Sequence, residues 1–255
     1  MLNIIISGCC GYMGNVVSAI ADSDPEISVA AGFDIAADKP CGYPVFANPA
    51  EFTGSAGAVV DFSAPSALDG LLSYCVSKHI PVVLCTTGYD REQLAAIESA
   101  SKLIPVFRSG NMSLGINLLA DLVRRACSVL GADYDVEIIE SHHRRKVDAP
   151  SGTAAMLADA AADSLPYSPE YVFERQSKRA PRAANEIGVH SVRGGTIIGE
   201  HEVILAGTDE VISLKHSAAS RSVFAVGAIK AAKFMASVEK PGIYDMSDVL
   251  GSRKS

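Results

Sequence analysis

Three observations predict an α/β fold: a doubly wound parallel sheet followed by a second α+β domain with a mixed, largely antiparallel sheet. Short β-branched runs alternate with amphipathic stretches from the start of the chain to about residue 112. The first such run ends in a glycine-rich turn that opens a helix. Beyond residue 186 the strand-like runs follow one another with no helical segment between them. Strand–helix alternation implies parallel pairing with right-handed crossovers, whereas strands in direct succession pair as hairpins.

"NIIISG" is the first strand, and "CCGYMGNVVSAIADS" turns into a helix in which Val16, Val17 and Ile20 recur at helical spacing. Gly8, Gly11 and Gly14 form G-x-x-G-x-x-G. Such glycines let the chain turn sharply, let backbone N–H groups approach a pyrophosphate, and let the helix pack close on the strand. The helix N-terminus then faces the phosphate charge. This is a Rossmann-like arrangement, with Cys10 where the commoner fingerprint has its second glycine. "ISVAAGF" is the second strand and ends at Asp34, twenty positions after Gly14. A carboxylate at that spacing accepts hydrogen bonds from the adenosine ribose hydroxyls and repels a 2′-phosphate. Ile35 follows rather than a basic residue, so NADH is favoured over NADPH, although Lys39 is near enough in sequence to support some NADPH use.

The alternation continues through "GAVVDFS", the helical "APSALDGLLSYCVSKH", "IPVVLCTTG", the helical "YDREQLAAIESASK" and "LIPVFRSGNMS". Ligands of such sheets sit beyond the carboxyl ends of the strands. Those ends carry Asp61–Ser63, Cys85–Gly88 and Ser109–Ser113, small polar turns that together suggest a cofactor rim.

Residues 117–130, "NLLADLVRRACSVL", place apolar residues at helical intervals and group the charges, as an amphipathic connector does. "DYDVEIIES" is a strand, and "SGTAAMLADAAADSL" a helix capped by Ser151 or a neighbour. "IGVHSVR", "TIIGEHEVILAG" and "DEVISLKHSA" are the successive strands, and "RSVFAVGAIKAAKFMA" is a closing helix that suits packing back onto the first domain. The stretch 174–186, "ERQSKRAPRAANE", is expected to be a mobile loop. The domains expected are therefore 1–112 completed by 222–255, which binds dinucleotide, and 113–221, for substrate binding and oligomerisation.

With 22 basic against 29 acidic residues and a net charge of −7, the chain lacks the broad positive field that nucleic acid or an anionic membrane requires. No apolar run approaches the roughly 20 residues of a membrane span, and "MLNIIISG" lacks the pattern of a signal peptide; a cytoplasmic location is the expectation. The six cysteines show no C-x-x-C and no metal-ligand spacing. They read as reduced core thiols, with no metal expected. His79, His190, His201 and His216 stand alone and read as packing or surface residues.

Against this background "ESHHRRKVDAPSGTA" (140–154) concentrates two histidines, two arginines and a lysine between a strand and a helix start. A solvated turn is the plain account. The setting favours anion binding, since cationic side chains and helix N-terminal amides converge there. A nucleic-acid patch would want aromatic platforms, and only 6% of the residues are aromatic, with no tryptophan.

Together with "GCCGYMG", "VVDFS", "TTG", "SGNMSLGIN", "GEHEV" and "SRSVFAVGAIKAAKF", this stretch resembles the dihydrodipicolinate reductase family along nearly the whole chain. The resemblance implies reduction of a cyclic imine dicarboxylate, 4-hydroxy-tetrahydrodipicolinate, by NADH or NADPH in lysine biosynthesis, and assembly as a homotetramer on the central sheet. It assigns His142 as general acid and Lys146 as a second proton donor that polarises the substrate. His143 would contact one substrate carboxylate; Gly152 and Thr153 would bind the other. Gly8, Cys9, Cys10, Gly11, Tyr12, Met13 and Asp34 would hold the pyrophosphate and ribose. Cys85, Thr86 and Thr87, with Ser109, Gly110, Asn111 and Met112, would line the nicotinamide. Two departures from the family pattern stand out: Cys85 replaces a familiar glycine, and Ile35 an arginine that often binds the NADP phosphate.

The implied chemistry needs this composition. Hydride addition to a conjugated imine builds up electron density that a proton must quench, and an imidazole with its ordinary pKa of about 6.5 can deliver one at neutral pH. Rival readings are a related NAD(P)-dependent amino-acid dehydrogenase and a non-catalytic NAD(P)-binding sensor, the second disfavoured by the presence of both His142 and Lys146.

Overall fold

The computed structural model describes residues 1–38 and 41–252, so Lys39 lies outside the described residues. The backbone divides into two compact units, Met1–Met112 with Ser222–Ser255, and Ser113–Arg221.

In chain order the first unit begins with β1 (Leu2–Ser7), α1 (Tyr12–Asp22), β2 (Ile27–Phe33), β3 (Val45–Phe46), β4 (Ala58–Asp61), α2 (Leu68–Lys78), β5 (Val82–Leu84), α3 (Arg91–Ser101) and β6 (Pro105–Arg108). The second unit holds α4 (Leu114–Leu130), β7 (Asp135–His142), α5 (Gly152–Ala162), β8 (Glu170–Val172), β9 (Glu186–Arg193), β10 (Gly199–Ala206) and β11 (Val211–Ala218). The chain then returns to the first unit with α6 (Ser222–Met235), β12 (Gly242–Tyr244) and α7 (Met246–Leu250).

Among the described residues, the first unit's strands form one sheet in the order β12-β6-β5-β4-β1-β2-β3, every pair parallel. The predicted doubly wound parallel sheet is present. Successive side chains leave a strand on opposite faces, so Ile5, Val59 and Val82 pack into a core with Leu71 of α2 and Ile97 of α3, while Ile4, Ile6 and Val60 are buried outside that cluster. A strand covered on both faces must be apolar at every position, which is why "NIIIS" shows no polar alternation. The winding reverses at β1, flanked by β2 and β4, and the carboxyl end of such a reversal leaves a crevice.

The second unit's strands run β11-β10-β7-β9-β8. The sheet is mixed, as predicted, but not largely antiparallel: β10 pairs antiparallel with β11 and β7, β9 pairs parallel with β7 and β8, and the successive strands β9 and β10 form no hairpin because β7 inserts between them. Its core joins Ile138, Ile187 and Val203 of the sheet to Ile116 and Val123 of α4 and Leu157 of α5. The small residues of "SGTAAMLADAAA" let α5 lie close on the strands.

Several elements differ from the sequence expectation. Helix α4 begins at Leu114, ahead of residue 117, because the Ser113 hydroxyl accepts the Ile116 N–H at 3.3 Å and starts the helix there. Strands β3, β8 and β12 and helix α7 were not expected; two or three strand residues carry too little alternation to read. The 174–186 stretch is irregular but anchored. Arg175 pairs with Glu137 at 3.1 Å and Glu186 at 2.8 Å, and Arg182 with Asp135 at 2.7 Å and Glu137 at 3.0 Å.

Candidate active site

Strand β7 carries its inward side chains in order: Val136, Ile138, Glu140, His142, the last two at the point where the core gives way to a turn. Glu140 has no exposed surface. A buried carboxylate must be paired to remain charged, and Glu140 is. Arg193 of β9 donates Nη2 to Oε1 at 2.7 Å and Nη1 to Oε2 at 2.8 Å. The Ser151 N–H donates to Oε1 at 3.1 Å, and His142 Nδ1 lies 2.6 Å from Oε2. Burial pushes the Glu140 carboxyl upward, but the bonds from Arg193, His142, Ser191 and Ser151 outweigh it and hold the pKa at about 2. Glu140 is therefore an anion at neutral pH. As an anion it can only accept the hydrogen bond, so His142 Nδ1 carries the shared proton and Nε2 points away from Glu140.

That nitrogen faces Gly199 of β10, where an added Cβ would lie 3.2 Å from it. The buried His201 ring packs edge-on to His142, centroids 5.2 Å apart, and its Nε2 lies 3.1 Å from the Ser151 hydroxyl. Burial and the neighbouring His142 lower the His201 pKa to about 4, so His201 is neutral at neutral pH. Ser151 caps α5 by accepting the Ala154 N–H at 3.1 Å, which fixes the helix N-terminus, and with it Gly152 and Thr153, next to the Glu140–His142 pair.

The basic stretch divides in two. Arg144 and Arg145 are exposed and behave as the plain account expects. His142 is buried, and Lys146 is half-buried with Nζ 2.8 Å from Asp148. His143 is also half-buried, and its Nδ1 is a buried nitrogen with no hydrogen-bond partner among the described residues. An unpaired buried nitrogen beside a helix N-terminus suits a polar ligand.

In the first unit Gly8 takes φ +77°, a conformation that disfavours side chains. A Cβ on Gly14 would lie 2.2 Å from the Gly8 carbonyl oxygen. Gly11 caps α1 without a side chain, and its N–H donates to the Gly8 carbonyl at 3.1 Å. The loop thus presents bare backbone at the start of a helix. Tyr12 and Met13 form the first turn, with Tyr12 exposed. Asp34 accepts the Cys10 N–H and the Ala36 N–H, both at 2.9 Å, which locks its carboxylate at the end of β2. Gly8, Gly11, Asp34, Ile35, Phe62 and Ser63 share the wall of a cavity of about 470 Å³. Glycines that admit no side chain, a helix start and a fixed carboxylate around one cavity fit a dinucleotide.

Further along the rim, buried Asp61 accepts the Thr86 hydroxyl at 2.7 Å and the Ser63 hydroxyl at 2.5 Å. Cys85 donates its N–H to the Asp61 carbonyl at 2.9 Å. Its φ is not positive, so a residue other than glycine is tolerated there. Thr87 is exposed; Ser109 donates to the Asn111 carbonyl at 3.0 Å, Gly110 is exposed and Met112 is buried.

Sequence reasoning passed over Glu140, Arg193, Ser151 as a proton-network member, and His201. Glu140 was readable in principle, since E-S-H on a strand puts the first and third side chains on one face. Arg193 was not, because only the parallel β7–β9 register, His142 opposite Arg193, brings it to Glu140.

The family model "Dihydrodipicolinate reductase, N-terminus" matches residues 2–112, and "Dihydrodipicolinate reductase, C-terminus" matches 115–250. A 4-hydroxy-tetrahydrodipicolinate reductase of Clostridium novyi (strain NT) is 48% identical over 254 residues, 99% of this chain and 100% of the relative. The protein of the same name from Caldanaerobacter subterraneus subsp. tengcongensis is 50% identical over 250 residues, 98% of each chain. Among solved structures, a dipicolinate-bound dihydrodipicolinate reductase from Paenisporosarcina sp. TG-14 superposes with a TM-score of 0.77 at 24% identity, covering 96% of this chain and 97% of that one.

Proposed function

Since the chain belongs to the dihydrodipicolinate reductase family, and so to the NAD(P)-binding oxidoreductases of lysine and diaminopimelate biosynthesis, we propose that His142 is the acid of its reaction and that Glu140 positions it. The reaction is reduction of 4-hydroxy-tetrahydrodipicolinate to tetrahydrodipicolinate: the 4-hydroxyl leaves as water to give the conjugated imine ring, and one hydride and one proton are added to it. The observation that carries the assignment is the buried Glu140–His142 pair, with Arg193 bound to Glu140 and the start of α5 beside it.

The substrate is a small ring with two carboxylates. His143 and the cation of Lys146 bind one carboxylate; the first-turn amides of α5 at Gly152 and Thr153 bind the other, helped by the positive end of the helix dipole. Two anchored carboxylates leave the ring no rotation, so binding energy becomes orientation. The reduced nicotinamide, when bound, supplies hydride to the ring. His142 Nε2 gives a proton to the electron-rich position that results. The Glu140 anion stabilises the imidazolium before transfer and keeps Nδ1 protonated after it. Lys146 stabilises negative charge on the substrate throughout.

Gly8, Cys9, Cys10, Gly11, Tyr12 and Met13 hold the pyrophosphate, Asp34 the adenosine ribose, and Cys85, Thr86 and Thr87 with Ser109, Gly110, Asn111 and Met112 the nicotinamide end. NADH is preferred to NADPH. The support is the Asp34 carboxylate, fixed by two backbone amides at the cavity, followed by Ile35, which is 97% exposed and offers no cation to a 2′-phosphate.

The test supplies the ring compound formed from pyruvate and aspartate semialdehyde and follows loss of reduced-nicotinamide absorbance. His142→Gln and Lys146→Ala are expected to lower kcat by about 10² to 10⁴ with folding intact. Turnover close to wild type in both variants overturns the assignment. Asp34→Ala is expected to raise KM for NADH while leaving KM for NADPH unchanged or lower; an equal rise for both would show that the carboxylate does not discriminate.

A further inference from the structure

Cys9 and Cys10 lie in the turn between β1 and α1, and Cys41 in the loop after β2, yet the fold brings their three sulfurs within 4.8 Å of one another. None is in a disulfide. The Cys9 and Cys10 sulfurs are 3.9 Å apart. A disulfide would need about 2.05 Å. Four-coordinate zinc with Zn–S bonds of about 2.3 Å sets its sulfurs about 3.8 Å apart. The Cys9–Cys10 spacing is that of two sulfurs on one zinc, and the Cys41 sulfur lies within 4.8 Å of both.

We propose that Cys9, Cys10 and Cys41 form a soft-metal site that takes Zn²⁺ through three thiolates, behind the dinucleotide loop.

The surroundings fit. Cys9 is fully buried against Gly32 of β2, where an added Cβ would meet its sulfur at 2.4 Å. Glycine at that position makes room for the sulfur. Cys10 and Cys41 are half-buried, which leaves a route for an ion. The Cys10 thiol also reaches the Ala36 carbonyl at 3.3 Å, so the cluster is held from the loop and from the end of β2. Three S–H bonds lose their protons to solvent, three S–Zn bonds form, and no oxidation state changes. Three thiolates are a soft donor set that selects zinc or cadmium over magnesium or calcium.

The test uses the full chain, reduced with a phosphine and freed of metal. Titration with Zn²⁺ is expected to reach one equivalent per chain, and Cd²⁺ to give one equivalent with sulfur-to-metal charge-transfer absorption in the ultraviolet. Zinc should shield Cys9, Cys10 and Cys41 from alkylation. Cys41→Ser and Cys41→Ala, which leave the dinucleotide loop and basal activity untouched, should each weaken Zn²⁺ binding more than tenfold, while Cys127→Ala binds as wild type. Substoichiometric binding overturns the proposal, as does undiminished affinity in both folded Cys41 variants. So does binding lost equally in Cys127→Ala.

Discussion

His142 and His201 share one pocket and have different partners. His142 touches the Glu140 anion. His201 touches a neutral serine hydroxyl and is buried, which favours the uncharged form. This pairing predicts the acid behaviour of the fold. His201 has a folded pKa of about 4 against 6.5 in the open chain, so the unfolded state binds more protons between those values and stability falls as pH drops from 6.5 to about 4. Glu140 has a folded pKa of about 2 against 4.5, so its contribution is complete above 4.5 and is lost as pH falls towards 2. Melting temperature against pH should therefore decline in two successive windows. In His201→Asn the upper window should flatten while the lower persists; an unchanged upper window would mean that His201 is protonated in the folded protein.

At the scale of elements, the candidate site in each unit uses a strand end followed by a helix start, and the two reach it differently. The β1–α1 turn achieves its close approach by omission: Gly11 caps α1 with no side chain, and Gly14 leaves space for the Gly8 carbonyl. The β7–α5 connection achieves it with side chains, as Ser151 caps the helix and its own N–H is bound by Glu140. The first device tolerates no added carbon. Gly14→Ala would place a Cβ 2.2 Å from a backbone oxygen and must push α1 away from β1, an overpacking cost of about 1 to 3 kcal/mol. Chemical denaturation should register that loss, with NADH affinity falling alongside it. A variant as stable as wild type would show that the helix and loop can separate freely.

At the scale of the whole molecule, the second unit's sheet ends in β11, an edge with no further strand among the described residues, on which Val211 and Ile212 are exposed. Bare edges with apolar side chains invite pairing with another copy, and we propose that the chain assembles through this sheet as a homotetramer. Sedimentation equilibrium should then give four times the 26.7 kDa of one chain, and Ile212→Lys should shift the mass towards smaller species. A wild-type mass of one chain would refute this. No described helix is long and apolar enough to cross a membrane.

The strands β1, β2, β4, β5 and β6, the glycine turn, the carboxylate at Asp34 and the HHRRK stretch could be read from the order of residues alone, because each rests on periodicity or on spacing within a few turns of chain. The partners that make those residues work could not. Arg193 meets Glu140, His201 meets His142 and Cys41 meets Cys9 only through strand register and loop path. Register is set by the whole sheet's need to bury one face and pair its backbone, a condition that no local stretch contains.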